Sequence, residues 1–148
     1  MRGTRSQGRS FALQLLYQAE MNEELAEASA SRFWEEQHPS RKARAFAEAL
    51  VEATLSHMSE IDARLGKELE HWKLGRLSVV VRNLLRMAVC EMLVVGEVPF
   101  PVVIDESVEL ARRFMDEESA RFVNSVLEKC WINASAAQGG APASQEGT

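Results

Sequence analysis

The sequence predicts an all-α protein made of two packed helical subdomains, with about three to four helices in each. Ala, Leu, Glu, Arg and Met are abundant, and these residues favour helices. Apolar residues recur at helical spacing along most of the 148 residues. Glycine and proline are concentrated at a few positions where helices would begin or end, and no segment has a convincing strand pattern. These three observations decide the fold class.

Composition narrows the class of protein further. A chain of 148 residues with 46% hydrophobic and 26% charged residues suits one soluble globular domain. The net charge of −5 excludes a generally basic nucleic-acid binder, so any nucleic-acid site must be local. Cys90, Cys130 and the three histidines lack metal-ligand spacing, and no run approaches the roughly 20 apolar residues of a membrane span. We therefore expect a cytoplasmic protein with reduced thiols, no metal and no cofactor.

The predicted N-terminal half covers about residues 10–66. Residues 1–9 form a mobile basic arm in this interpretation, and the first helix follows over residues 10–21. A second helix covers about residues 23–37. The third is long, over residues 41–65, because Ser40 is a good N-cap and Gly66 is well placed to end it.

The predicted C-terminal half covers about residues 67–132. After a connection at residues 67–75, residues 77–96 are apolar nearly all round, which indicates a central helix ending at Gly96. The segment from Val98 to Leu127 reads as a proline turn, a helix, a polar break at residues 116–119 and a last helix that fades near Ile132. Residues 133–148 are rich in Ala, Gly and Ser, and we expect a disordered tail there.

Motifs for catalysis are absent from the sequence. It contains no phosphate-binding glycine loop after a strand, no nucleophile elbow and no suggestive Cys/His pair, so we expect no enzymatic activity. Glu91 is unusual, because it is an acid within an apolar run. A buried carboxylate needs a partner, which would be backbone amides of the turn at residues 98–104 or an arginine.

The arginines near the N-terminus permit two interpretations. Arg2, Arg5 and Arg9 lead into a helix that carries Gln14 and Tyr17. Arginine binds phosphate, glutamine reads base edges and tyrosine stacks on an unpaired base, which together would suit single-stranded RNA. A basic, solubilising tail is the alternative, and spacing alone leaves both open.

Five segments of the chain resemble the NusB family of bacterial antitermination factors. They are GRSFALQLLYQAE (8–20), WKLGRL (72–77), RNLLRMAVCEML (82–93), VPFPVVIDESVELARRF (98–114) and ESARFVNSVL (118–127). The resemblance implies an all-helical, non-enzymatic RNA-binding adaptor. Family members pair with NusE, a small-subunit ribosomal protein, and bind boxA RNA of ribosomal RNA leaders. With other Nus factors they help RNA polymerase to resist termination.

Matching positions carry the family's RNA surface onto this chain. The residues implied are Arg5, Arg9, Gln14 and Tyr17 from the first helix, and Glu118, Arg121 and Phe122 from the hinge and last helix. Phe122 would be either a stacking platform or a core residue, and the NusE contact would lie mainly on the C-terminal half. Two departures matter. Val81 stands where an acid is usual, and Met115 replaces a common glycine, which would add strain if a left-handed conformation were needed.

Two other functions remain as alternatives at this point. A homodimeric helical interaction module would have weak or masked RNA binding, since some relatives form homodimers that cover this surface. An RNA-modifying enzyme ranks far behind. Similar domains occur fused to rRNA methyltransferases, but this chain has no room for a cofactor domain.

Overall fold

The computed structural model describes residues 3–22, 26–69 and 73–137, and these are almost entirely helical. Its helices are α1 Thr4–Met21, α2 Ala26–Gln37, α3 Arg41–Ser56, α4 Met58–Glu68, α5 Val79–Val89, α6 Phe100–Phe114 and α7 Glu117–Ala137. A 3-10 turn, Leu74–Arg76, precedes α5, and a π-helical segment, Cys90–Val95, continues it. The described ranges contain no strand, which confirms the all-α prediction. None of the described helices is both long and apolar enough to cross a membrane.

Helix α5 occupies the centre of the molecule. It contacts α1, α3, α4, α6 and α7, while α1 also packs along α3 and α6 along α7. Leu84 and Leu85 of α5 are fully buried. The central helix predicted from the apolar run is therefore confirmed. Because α5 touches helices on both sides of residues 66–67, the division of the chain into two halves there stays a prediction.

Both ends of the α5 region follow local sequence rules. The Ser78 hydroxyl accepts a hydrogen bond from the Val81 amide at 3.2 Å, so Ser78 caps α5 and the valines that follow it are helical. Gly96 ends the π segment with φ of +68°, a left-handed conformation that favours glycine. Its amide donates to the Glu91 carbonyl at 2.9 Å. The predicted cap and stop are both observed.

Several predicted boundaries need correction in the first half of the chain. Helix α1 begins at Thr4, so residues 4–9 are helical rather than a mobile arm, and residues 1–2 lie outside the described residues. The long third helix is interrupted at His57 and forms α3 and α4. The ring nitrogen Nδ1 of His57 lies 2.9 Å from the Ala53 carbonyl, which satisfies part of the last turn of α3. Gly66 lies inside α4 and does not end it.

The predicted start of the C-terminal tail was also wrong. Helix α7 continues to Ala137, so residues 133–137 are helical, and residues 138–148 lie outside the described residues. The Asn133 amide donates to both Glu68 carboxylate oxygens at 2.8 Å. Ala134 and Ser135 are buried. The small residues that suggested disorder thus permit close packing of α7 beside α4.

A polar cluster joins the end of α1 to α5 and α4. The Glu20 carboxylate accepts hydrogen bonds from Arg82 and, at 2.9 Å, from Asn83. Arg86 donates to both oxygens of Asp62 at 2.8 and 3.0 Å. These bonds fix the position of α1 along α5.

Burial acts to raise the pKa of Glu20, but hydrogen bonds from Arg82 and Asn83 and the charges of Arg82 and Arg86 outweigh it and leave the pKa lowered. A carboxyl with a lowered folded-state pKa stabilises the fold above its unfolded pKa, and this stabilisation is lost as pH falls through the folded value. We expect Glu20→Gln to be less stable than the wild type at pH 7 and the difference to shrink toward pH 3. Urea unfolding across this range measures it. Glu60→Gln, at an exposed acid, is the control; an unchanged Glu20→Gln difference at pH 3 would contradict the prediction.

Candidate functional site

A buried ion pair fixes the first turns of α1. Arg9 donates from Nε and Nη2 to the two Glu91 oxygens at 2.8 and 2.6 Å. The side chains are only 3% and 2% exposed. Glu91 therefore has the arginine partner that was one of its two predicted alternatives. Arg9 is not accessible to a phosphate in this arrangement, which corrects its assignment to the RNA surface.

The adjacent Arg5 side chain is exposed, but it lies over α3. Its guanidinium carbon is 5.8 Å from the centre of the Phe46 ring, and that of Arg9 is 5.4 Å away. Gly8 allows this close approach of α1 and α3, since a Cβ there would lie 2.6 Å from Cδ2 of Phe46. The first turns of α1 are thus held from two sides, by Glu91 and by Phe46.

A first groove, named here the α1–α6 groove, lies between α1, α5 and the end of α6. Its volume is about 290 Å³. Tyr17 and Phe114 present aromatic surface there, at 38% and 37% exposure. The lining residues are Leu13, Gln14, Tyr17, Gln18, Val80 and Phe114.

A second groove, named the hinge groove, lies where α6 turns into α7 and has a volume of about 250 Å³. Phe122 lines it and also packs against the hydrophobic core, so the core role is observed and the stacking role stays a prediction. Met115 has φ of −129°, so it is not left-handed and the expected strain is absent. The lining residues are Arg76, Leu77, Ser78, Val81, Met115, Glu118, Ser119 and Phe122.

The hinge between α6 and α7 is held by a cap. The Ser119 amide donates to the Asp116 carboxylate at 2.8 Å. Hydrogen bonds from the side chain and backbone of Ser119 lower the pKa of Asp116, which keeps the cap charged at neutral pH. Negative charge at the start of α7 also interacts favourably with the helix dipole. The polar break at residues 116–119 was predicted from the sequence. The capped turn places Glu118 and Phe122 at the hinge groove.

Val80 and Phe114 line the α1–α6 groove, and the residues that follow them, Val81 and Met115, line the hinge groove. The two grooves therefore lie near each other. Gln14 and Tyr17, both predicted for the RNA surface, line the α1–α6 groove, and Glu118 and Phe122 line the hinge groove. Arg121, which directly precedes Phe122 on α7, is exposed, and its Nη1 atom is 4.0 Å from a Glu117 carboxylate oxygen.

Arg5 lines neither groove and lies nearer the start of α1. It lies 12 residues before Tyr17, which corresponds to about 18 Å along α1 and about 120° around it. Arg2, also predicted for the RNA surface, lies outside the described residues.

Sequence reasoning missed two residues of this surface, Arg113 and Phe114. The Arg113 guanidinium carbon lies 5.0 Å from the centre of the Phe114 ring. Its Nη2 atom is 3.4 Å from the Ser10 hydroxyl on α1. The sequence pattern that could have identified them is an aromatic residue directly after two arginines at the end of an amphipathic helix. Met115 has the helical spacing of the buried Ala111, yet it is exposed.

Neither thiol of the described chain is placed for nucleophilic chemistry. Cys90 and Cys130 are both buried and unpaired. Burial raises the pKa of Cys90, and burial together with the nearby Glu68 charge raises the pKa of Cys130 to about 12. Within the described ranges, no group of three or more His, Cys, Asp or Glu side chains is arranged to hold a metal ion.

Comparison with known proteins covers nearly all of the chain. Residues 6–131 match the model of the NusB family. The chain is 40% identical over 127 residues to the transcription antitermination protein NusB of Koribacter versatilis (strain Ellin345), across 85% of this chain and 87% of that protein. It is 41% identical over 123 residues to the protein of the same name from Bacillus mycoides (strain KBAB4), across 83% and 93%.

Solved structures give the same result for the fold. T. maritima NusB superposes with a TM-score of 0.79 at 33% identity, covering 97% of each chain. A chain in the crystal structure of the antitermination factors NusB and NusE in complex with double-stranded RNA gives a TM-score of 0.82 at 28% identity, covering 90% of this chain and 99% of that one. The matched residues 6–131 include both grooves.

Proposed function

The chain belongs to the NusB family, and from this premise we propose that it is a transcription antitermination factor that binds RNA together with NusE. The proposed RNA is boxA of ribosomal RNA leaders, and the assembly would include RNA polymerase and other Nus factors in the cytoplasm. The role is that of a non-enzymatic adaptor. The observation that carries this proposal is the pair of neighbouring grooves with the exposed rings of Tyr17 and Phe114, together with Arg113 over the Phe114 ring.

Physical chemistry supports RNA at this surface. Unpaired bases stack on aromatic rings, which Tyr17 and Phe114 offer, and arginines beside the rings can bind the phosphates. The whole chain carries a net charge of −5, so general attraction to RNA is weak and a partner would be needed for firm binding. NusE is the proposed partner, with its contact on the C-terminal half. The solved NusB relative in complex with NusE and RNA supports this choice.

An electrophoretic shift of labelled boxA RNA, with and without NusE, tests the proposal. We expect a weak shift by the chain alone and a strong one with NusE. Each phosphate neutralised on a single strand contributes a log–log salt slope of about −0.7, so Arg5, Arg113 and Arg121 would give about −2. An absent or salt-independent shift in the presence of NusE would overturn the proposed function.

The double variant Arg5→Ala with Arg121→Ala should bind boxA RNA more weakly. Loss of two phosphate contacts would change the slope from about −2 to about −0.7. Anisotropy titrations at several salt concentrations, with NusE present, measure both effects. Arg41→Ala, at an exposed arginine that starts α3, serves as the control and should keep the wild-type slope. A double variant with the wild-type slope would remove these two arginines from the site.

The homodimeric module is not favoured as an alternative, because the matched relatives are antitermination proteins. Light scattering over a concentration series separates the two cases. A stable dimer that does not bind RNA with NusE would favour the alternative.

A further inference from the structure

One glutamine in the α1–α6 groove has a fixed amide orientation. Nε2 of Gln14 lies 3.2 Å from the Ser10 carbonyl oxygen and 3.3 Å from the Ser10 hydroxyl. A carbonyl oxygen can only accept a hydrogen bond, so the amide nitrogen must face it and the amide oxygen must point away. Among the described residues, Oε1 of Gln14 has no hydrogen-bond donor. Gln14, which lines the groove, therefore carries an oriented acceptor that the described part of the chain does not use.

Ser10 holds this arrangement together with the opposite wall. It is buried, and its hydroxyl lies near both Gln14 and, at 3.4 Å, Nη2 of Arg113. Arg113 in turn lies over the Phe114 ring. The buried Ser10 hydroxyl on α1 is thus close to both the Gln14 amide and the Arg113 guanidinium, which lies over the Phe114 ring.

The size and chemistry of the groove suit a single flat ligand. Its volume of about 290 Å³ lies at the small end of ligand pockets. Tyr17 and Phe114 offer apolar aromatic surface to such a ligand, and Arg113 is placed for a phosphate attached to it. An unstacked nucleotide combines these properties.

The orientation of Gln14 adds a preference among bases. Adenine and cytosine carry an amino donor at the ring position where guanine and uracil carry a carbonyl acceptor. A lone acceptor opposite a carbonyl is unfavourable, whereas opposite an amino group it forms a hydrogen bond. Resting on the proposed function, we propose that the α1–α6 groove takes one unstacked base and that Gln14 Oε1 selects adenine or cytosine through its exocyclic amino group.

The test removes the amino group from the RNA and the acceptor from the protein. In boxA RNA bound with NusE, each adenine is replaced in turn by purine and each cytosine by pyrimidin-2-one, which lack only the amino group. At one position we expect the wild-type Kd to rise about five- to tenfold. With Gln14→Ala, the same replacement should change the Kd less than twofold. Gln37→Ala, at an exposed glutamine on α2, should keep the full wild-type penalty.

Gln14→Leu provides a second variant of similar size without polar atoms. It should also lose the amino preference, and it keeps the test decisive if the alanine variant unfolds. A ratio between two RNAs bound by one protein does not respond to a merely structural role of Gln14. If the wild-type complex binds RNA but no replacement depends on Gln14, this inference is overturned and the proposed function stands. If wild-type protein with NusE does not bind boxA RNA, the proposed function itself has failed.

Discussion

Replacement of Glu91 by alanine is expected to lower the free energy of unfolding by about 3–5 kcal/mol. The change leaves the Arg9 guanidinium buried at 3% exposure without its bidentate partner. Glu106 is the nearest other acid, and its oxygen is 3.6 Å from Nη1 of Arg9, so it replaces the lost pair only in part. Urea unfolding at pH 7 measures the effect.

Two further variants distinguish the effect of an unpaired buried charge at Arg9 from the effect of any alanine substitution near the π segment. Glu97→Ala, at an exposed acid shortly after the π segment, should change the free energy of unfolding by less than about 0.5 kcal/mol. Arg9→Met combined with Glu91→Leu removes both charges and should recover much of the stability lost in Glu91→Ala, because a buried pair replaced by apolar residues is often neutral. If the free energy of unfolding of Glu91→Ala lies within about 1 kcal/mol of the wild-type value, leaving Arg9 buried without its carboxylate partner costs little stability, and the prediction is wrong.

Leu127→Ala is the second variant with a large expected effect, a loss of about 2–5 kcal/mol of unfolding free energy. Leu127 is 0% exposed on α7, the helix that packs on α4, α5 and α6. Truncation removes apolar contacts and leaves a cavity that the surrounding helices cannot close completely. Thermal and urea unfolding of the same samples give the size of the loss.

Ile132 offers a matched control on the same helix. It is also a large aliphatic residue, but it is 55% exposed. Ile132→Ala should therefore change stability by less than about 0.5 kcal/mol. Equal losses in Leu127→Ala and Ile132→Ala would contradict the assignment of α7's buried face.

The features that sequence predicted well depend on neighbours a few residues away. The caps at Ser40 and Ser78 are examples, and the Ser40 hydroxyl accepts from the Ala43 amide at 3.1 Å. The stop at Gly96 needs only a left-handed residue, and the burial of α5 follows from a run that is apolar on all faces. Local backbone chemistry and composition are sufficient to decide such features.

The features that sequence predicted poorly depend on residues far along the chain. Arginine has the same character whether it meets a phosphate or a buried acid, so Arg9 could not be assigned without knowing that Glu91 lies beside it. The small side chains of residues 133–137 bury little surface alone, which predicts a tail, yet Asn133 donates a hydrogen bond to Glu68. The groove residues Arg113 and Phe114 were missed because helical periodicity does not reveal which neighbours leave a face uncovered.

The Arg9–Glu91 pair also affects the order in which the chain can fold during synthesis. The two residues are 82 positions apart. At about 5–20 residues per second, Arg9 would be made roughly 4–16 s before Glu91. Throughout that interval the nascent first helix carries a cation on the face that it must later bury, with its carboxylate partner not yet made. Final docking of α1 therefore waits until the π segment has left the ribosome.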